Sequence, residues 1–309
     1  SGLFTVSPGA DGLESQSFAL KVTGGGATGL IDTATGQPIT LVQNGSVIEG
    51  RVGATNTVAF AFTINSSTGE VSMAQYRAIN HGNEEQAPGE HDEVKSMASG
   101  ILAVVLSVTD KDGDTVSAER DISGSVKFDD DGPKADIDIK HDAKIRIDES
   151  VGTDPSDSNA ADENASADPT DIGYAKVAAN VLFDDDSDFG SDGQASSNAR
   201  TYKLLVNGAS DSGLDDTVTG GNVLLTSNGA GTLIEGRVQG SNELVFTVAI
   251  NPTTGEVTVT QFRAVEHDND NDHDESSSPE IMNGNKLLVE LTVTDGDGQL
   301  HEQLVAVHD

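Results

Sequence analysis

The 309-residue chain contains no cysteine and no tryptophan, and aromatic residues make up only 4% of it. Without cysteine, no disulfide, thiolate metal site or cysteine nucleophile can form. Each hydrophobic core should therefore be thin and built from Val, Ile, Leu and Ala. No run approaches the roughly 18 apolar residues of a transmembrane helix, so we expect no direct membrane insertion.

Basic residues are also scarce, since 17 Lys and Arg stand against 52 Asp and Glu, for a formal net charge of -35. A nucleic-acid partner needs a basic surface, and an anionic membrane surface would repel this chain. The same charge attracts cations. High charge with modest hydrophobicity favours disorder unless ions neutralise it, and bound metal can replace disulfides in an extracellular protein.

Motifs of catalysis are missing from the sequence. It has no G-x-S-x-G elbow, no H-E-x-x-H helix and no phosphate-binding loop. Carboxylates are so abundant that a pair of them carries no signal for a glycosidase. We therefore expect that the chain is not an enzyme.

The chain contains an internal repeat. Val47–His81 matches Leu233–His267, Leu102–Asp114 matches Leu287–Gln299, and Gly9–Val22 pairs more loosely with Gly190–Val206. Two copies of one module explain these matches, so we predict tandem domains over residues 1–132 and 133–309. The second copy is longer, because 135–181 has no counterpart in the first. It includes an acidic insert, 153–171, that is typical of a mobile loop.

The local pattern is that of β-strands. "TVAFAFTI" and "ELVFTVAI" are β-branched and aromatic runs of strand length, and each precedes a Thr-Gly turn and a segment that alternates at period two. We predict an all-β fold of two tandem antiparallel β-sandwich modules, immunoglobulin-like, with calcium-binding loops. Only "YAKVAANVLF", residues 174–183, favours one short helix.

Runs of adjacent carboxylates suggest calcium sites, because calcium takes six to eight oxygen ligands in loosely constrained geometry. "FDDDGP" provides Asp129, Asp130 and Asp131, and we expect these to share a site at the joint between modules with Asp148 and Glu149. "LFDDDSD" provides a second candidate from Asp184, Asp185, Asp186 and Asp188. The alternative is a solvated acidic turn that binds no ion.

Two further acidic segments resemble the start of an EF-hand loop, "TDKDGDT" with Asp110 and Asp112, and "TDGDGQ" with Asp295 and Asp297. Both lack the later ligands and the flanking helices of that motif. Asp-Gly is also a preferred residue pair in tight hairpin turns. A structural turn and a turn that also binds calcium both remain open.

Some histidines and arginines recur in both copies. His81 and His267 are predicted to form structural hydrogen bonds near a strand end, and the unequal "HDE" loops at 91–93 and 273–275 disfavour zinc. Arg77 and Arg263 are expected to pair with carboxylates and to hold a loop.

The order of "QYRAINH", "VLSVTDKDGDT" and "FDDDGPKA" resembles the tandem repeats of giant repeats-in-toxin (RTX) adhesins, which Gram-negative bacteria export by type I secretion. The resemblance covers both copies. It implies a rod of β-sandwich modules with calcium at the joints, Asp129 to Asp131 as joint ligands, and Asp110 and Asp112 as further ligands.

From the residues and this resemblance together we expect a calcium-stabilised extender segment of an extracellular bacterial surface adhesin that supports cell adhesion and biofilm formation. Its partners would be neighbouring repeat modules of the same chain, and the segment itself would be monomeric. The alternative is a ligand-binding module that recognises a glycan or peptide on a target surface through calcium. The loops at 83–93 and 268–280, which differ from each other between the two copies, suggest this alternative.

Overall fold

The structure is a computed structural model, and it describes residues 3–7, 9–82, 93–147, 170–267 and 279–307. The chain divides into two compact units. Unit 1 consists of Ser1–Gly132, Phe189–Ala195 and Asp295–Gln299, and unit 2 of Pro133–Asp188, Ser196–Thr294 and Leu300–Asp309. Two short segments of the second sequence repeat, 189–195 and 295–299, therefore belong to unit 1.

Unit 1 is built from antiparallel sheets. Its strands are β1 (Leu13–Val22), β2 (Ala27–Ile31), β3 (Pro38–Asn44), β4 (Val47–Val52), β5 (Thr57–Ile64), β6 (Val71–Gln75), β7 (Val94–Ser96), β8 (Leu102–Asp110), β9 (Thr115–Asp121) and β10 (Lys127–Asp129), with a 3-10 helix at Ser123–Ser125. One sheet has the order β2-β3-β4-β5-β6 and a second the order β1-β8-β9, while β7 and β10 form a separate ribbon.

Both main sheets of unit 1 contribute to one hydrophobic core. Ile48, Phe60 and Phe62 enter it from the five-stranded sheet, and Leu20 and Leu102 enter it from the three-stranded sheet. Burial in β4 alternates strictly between half-buried and buried positions, as expected for a strand with one face on a core. The all-β prediction is confirmed, and the two sheets form the layers of a sandwich.

Unit 2 repeats this plan with an additional strand. Its elements are β11 (Ile137–Ile139), β12 (Gly173–Val177), α1 (Ala179–Leu182), β13 (Phe183–Asp185), β14 (Arg200–Val206), β15 (Asp211–Asp216), β16 (Gly221–Ser227), β17 (Leu233–Val238), β18 (Leu244–Ile250), β19 (Val257–Gln261), β20 (Leu287–Thr294) and β21 (Leu300–Val307). The sheet orders are β12-β19-β18-β17-β16-β15, β14-β20-β21 and β11-β13, all antiparallel.

Packing explains why the repeated "EGR" segment has glycine at its middle position. A Cβ on Gly50 would overlap the ring of Phe60, and a Cβ on Gly236 would overlap the ring of Phe246. Each glycine therefore leaves room for a buried aromatic ring on the neighbouring strand. This pair of contacts is the same in both units, as the repeat in the sequence predicts.

The short helix predicted over 174–183 is present only as the single turn of α1. Tyr174 lies instead in β12, which pairs antiparallel with β19 along five residues. The sheet satisfies the backbone there, so the strand forms where the local pattern alone favoured helix. Among the described residues, no helix is long and apolar enough to cross a membrane.

Candidate metal centre

Unpaired polar atoms gather at one place in unit 1. Within the described ranges, eight buried side-chain polar atoms have no hydrogen-bond partner. Six are carboxylate oxygens, and the others are His81 Nδ1 and Thr33 Oγ1. The six oxygens belong to Glu93, Asp130 (both oxygens), Asp192, Asp295 and Asp297. We call His81 and these five acidic residues the buried cluster. Since native proteins satisfy nearly all buried polar groups, such a concentration calls for a physical reason.

The "FDDD" run brings Asp130 into the buried cluster. Phe128 is buried in the core, with its ring centroid 5.1 Å from that of Phe60, and it anchors β10. Because successive side chains of an extended chain point to opposite faces, Asp129 and Asp131 differ from Asp130 in burial. The Asp130 side chain is fully buried, whereas Asp129 and Asp131 are exposed.

Asp131 has a different role, because it fixes the segment that carries Asp192. Its Oδ2 accepts hydrogen bonds from the Ser191 backbone N–H at 3.1 Å and from the Ser191 hydroxyl at 2.7 Å. Asp192 follows directly and presents its unpaired Oδ1 to the cluster. Of the three predicted joint aspartates, the structure thus places one in the cluster and one as a support behind it.

The turn after β20 supplies Asp295 and Asp297. Asp295 Oδ1 accepts the backbone N–H groups of Gly298 at 3.0 Å and Gln299 at 2.8 Å, which closes the turn as a hairpin would. Asp297 Oδ2 accepts the backbone N–H of His81 at 2.8 Å. The second oxygen of each aspartate remains unpaired within the part of the chain that is described. This segment is therefore both a structural turn and a source of candidate ligands.

Glu93 lies at the start of the β7–β10 ribbon, and its carbonyl accepts the backbone N–H of Asp130 at 3.1 Å. Its Oε2 accepts a hydrogen bond from Gln299 Nε2 at 3.3 Å, and its Oε1 has no partner among the described residues. Glu93 thus contributes a further buried carboxylate oxygen to this part of unit 1.

The donor atoms are close enough to share one ion. Ligand atoms of His81, Asp130, Asp192 and Asp297 all lie within 4.8 Å of one another. Two unit charges at that distance repel by about 3 kcal/mol at an effective dielectric constant of about 20. A divalent cation would turn this repulsion into attraction, and the oxygen-rich donor set fits calcium.

The electrostatics of the cluster follow from its burial. Burial, together with the neighbouring Asp297 carboxyl, raises the pKa of Asp295 to about 8. Burial is the main cause that raises the pKa of Asp192 to about 6; the contact with Thr33 opposes this shift, and the charges of Asp297 and Asp130 support it. Two carboxyls therefore hold protons more tightly than usual when no cation is present.

A second group of carboxylates lies nearer the surface, with Asp11 and Asp112 exposed and Asp110 half-buried. Asp11, Asp110 and Asp112, which we call the exposed cluster, also bring ligand atoms within 4.8 Å of one another. The repeat makes these residues the counterparts of Asp192, Asp295 and Asp297. A shared hydrogen bond lowers the pKa of Asp110 and raises that of Asp112. The turn that begins at Asp110 closes as a hairpin, because the Asp114 backbone N–H donates a hydrogen bond to Asp110 Oδ1 at 2.9 Å.

The "DDDSD" run lies in unit 2 and pairs with basic side chains. Asp185 accepts a hydrogen bond from Arg200 Nε at 2.6 Å, and Asp184 lies 3.4 Å from Lys140 Nζ. Asp186 and Asp188 are exposed and bond to strand neighbours through their backbone N–H groups. These residues do not join either cluster of the described chain.

Some predicted residues fall outside the described ranges. These are Asp148, Glu149, most of the acidic insert, His91 and Asp92, and the "HDE" segment at 273–275.

Sequence reasoning missed Glu93 and Asp192 as members of the cluster, and it gave His81 only a structural hydrogen bond. That bond is present, since His81 Nε2 lies 3.0 Å from the Phe128 carbonyl oxygen. The match of "GSDG" to "GADG" was the available signal for Asp192. Nothing in the sequence brings residues 81, 93, 130 and 192 together, because their proximity depends on the fold.

A family model described as "Domain of unknown function (DUF5801)" matches residues 1–123 and 144–307 of the chain. The search of curated proteins found no match to the chain. The family description assigns no activity to any of these residues.

Proposed function

We propose a function for this chain, which belongs to the DUF5801 family: it is a calcium-stabilised structural segment of an extracellular bacterial surface adhesin, an extender that holds a binding tip away from the cell. Its partners are neighbouring repeat modules, and it has no catalytic role. The likeness to RTX adhesin repeats supports the cellular setting. The buried cluster supports the dependence on a cation.

Within the described residues, six buried carboxylate oxygens have no hydrogen-bond partner, and they are the main support for a bound cation. Burying an unpaired charge costs several kcal/mol, so a fold retains such a group only where something compensates it. The oxygens come from chain segments that are far apart in sequence and that all belong to unit 1. A cation bound by them would hold these segments together.

Calcium suits the proposed extracellular setting. Extracellular modules bind it with Kd values of about 10⁻⁴ to 10⁻³ M, and its oxygen ligands can be irregularly arranged. At about 10-fold excess over Kd, one site adds about 1.4 kcal/mol to the free energy of unfolding. Several such sites approach the whole stability of a small domain, about 5–15 kcal/mol. Where calcium is scarce, repulsion among the carboxylates would keep the chain loose and suited to export.

The test is a thermal melt of the chain in millimolar calcium and in chelator, with isothermal titration to count the sites. We expect a higher unfolding midpoint in calcium and at least one saturable site. Equal midpoints with no heat of binding would contradict the proposal.

A further inference from the structure

The ring of His81 is oriented by a hydrogen bond to the backbone. Its Nε2 lies 3.0 Å from the carbonyl oxygen of Phe128, and a carbonyl can only accept. Nε2 therefore carries the proton and donates it. In a neutral imidazole this leaves a lone pair on Nδ1. Histidines that bind metals usually have such an outer partner, which fixes both the tautomer and the direction of the ring.

The free nitrogen points at the carboxylates. His81 is only 3% exposed, and its Nδ1 lies 3.1 Å from Asp130 Oδ1, whose side chain is fully buried. Neither atom makes a hydrogen bond within the described part of the chain. A neutral imidazole lone pair and a carboxylate oxygen at this distance repel each other. A cation that accepts both atoms removes this repulsion.

A protonated His81 paired with Asp130 is the competing explanation. It requires Nδ1 to donate to the carboxylate, and the short distance is not accompanied by hydrogen-bond geometry. A ring nitrogen of His81 also lies within 4.8 Å of ligand atoms of Asp192 and Asp297, so the imidazole faces three carboxylates together. This arrangement suits a ligand of a shared ion better than one half of a simple pair.

We propose that His81 Nδ1 is a direct metal ligand, and that the buried cluster binds a divalent first-row transition ion such as Mn²⁺ or Zn²⁺ more tightly than it binds Ca²⁺. The inference rests on the proposed function, because it takes the cluster as a cation site. Calcium prefers oxygen ligands, whereas imidazole nitrogen favours transition ions and carboxylates suit Mn²⁺. Calcium occupies the site when it is abundant, and a transition ion displaces it at lower concentration.

The repeat provides an internal comparison. The exposed cluster contains carboxylates alone among its described ligands, so it has no nitrogen that would favour a transition ion. His267, the counterpart of His81, is half-buried and belongs to neither group. It therefore serves as a matched control for the loss of one histidine.

The experiment is isothermal titration of the chelator-stripped full chain with Ca²⁺, Mn²⁺ and Zn²⁺, each alone, for the wild type, His81→Gln and His267→Gln. The glutamine amide oxygen can still serve calcium. We expect His81→Gln to lose at least about 10-fold in Zn²⁺ and Mn²⁺ affinity while its Ca²⁺ affinity changes little. His267→Gln should match the wild type. Equal transition-ion affinity of wild type and His81→Gln would overturn the proposal.

A second readout needs no variant. Electron spin echo envelope modulation spectra of the Mn²⁺-loaded wild type should show coupling between Mn²⁺ and a directly bound nitrogen. Spectra without this nitrogen coupling would overturn the proposal. The two proposals fail separately. Calcium binding without a nitrogen ligand contradicts only the role of His81, and nitrogen-coordinated Mn²⁺ without any effect of calcium contradicts only the calcium-dependent function.

Discussion

Arg263 and Asp216 form a bidentate ion pair, with Nε 2.8 Å from Oδ1 and Nη2 2.9 Å from Oδ2. The Asp216 carboxylate is fully buried, and the Arg263 side chain is partly exposed. Arg77 and Asp32 form the same pair in unit 1, at 2.6 and 2.9 Å. The prediction that these arginines pair with carboxylates is confirmed. Asp216 also accepts the N–H and hydroxyl of Thr219, so the pair holds the turn after β15.

Replacing Arg263 should destabilise the fold. Arg263→Met would leave the Asp216 carboxylate buried without its partner, so we expect the free energy of unfolding to fall by about 3 kcal/mol. Urea denaturation measures the change. Arg237→Met is the matched control, because Arg237 pairs with Glu235 on a more exposed surface and should cost less than about 1 kcal/mol. Equal losses in the two variants would contradict this account.

The Arg263–Asp216 ion pair also predicts that the free energy of unfolding depends on pH. The hydrogen bond from Arg263 lowers the pKa of Asp216 from 3.8 to about 2. A carboxyl with a lowered pKa in the folded state stabilises the protein above about pH 4, and this stability is lost as the pH falls toward 2. The difference in unfolding free energy between wild type and Asp216→Asn should therefore shrink between pH 5 and pH 2, in chelator. A constant difference would show that the pair does not act through charge.

Asp131 should affect cation binding without belonging to the cluster. Asp131→Ala removes both hydrogen bonds that hold Ser191, and the neighbouring Asp192 then loses its fixed position. Loss of such an outer partner typically weakens metal affinity by about 10- to 100-fold. Calorimetric titration with calcium measures it. Asp129→Ala, at an exposed position in β10, provides the control and should bind as the wild type does.

Gly296 should not tolerate a side chain. A Cβ there would overlap the backbone carbonyl of Asp192, so either the turn or the Asp192 segment must shift. Gly296→Ala should lower the unfolding free energy by about 1–3 kcal/mol and weaken cation binding. Gly229→Ala, where a Cβ meets nothing within 4 Å, should leave both unchanged. Unimpaired binding by Gly296→Ala would mean that this close approach is unimportant.

The sequence predicted the strands well because their signals are local. Alternation in "VIEGRV" and "LIEGRV" marks one buried face, and the Asp-Gly turns mark the hairpins at Asp110 and Asp295. It failed at Tyr174, where pairing with β19 decides the conformation. Asp130 and Asp297 stood out as members of short acidic runs. The proximity of Glu93, Asp192 and His81 to these residues could not be predicted, because long-range packing brings them together.

We expect the buried cluster to oppose folding without a cation and to stabilise the fold with one. Asp297→Asn removes one charge while its amide oxygen can still accept the His81 N–H. Each charge removed relieves about 3 kcal/mol of repulsion for every charged neighbour 4.8 Å away in the metal-free state, but it also removes a ligand.

Thermal melts of Asp297→Asn and of the wild type, in chelator and in millimolar calcium, measure both effects. Asp112→Asn, its exposed counterpart, is the control and should follow the wild type closely in chelator. We predict that Asp297→Asn unfolds at a higher temperature than the wild type in chelator and at a lower one in calcium. A shift in the same direction under both conditions would contradict the account.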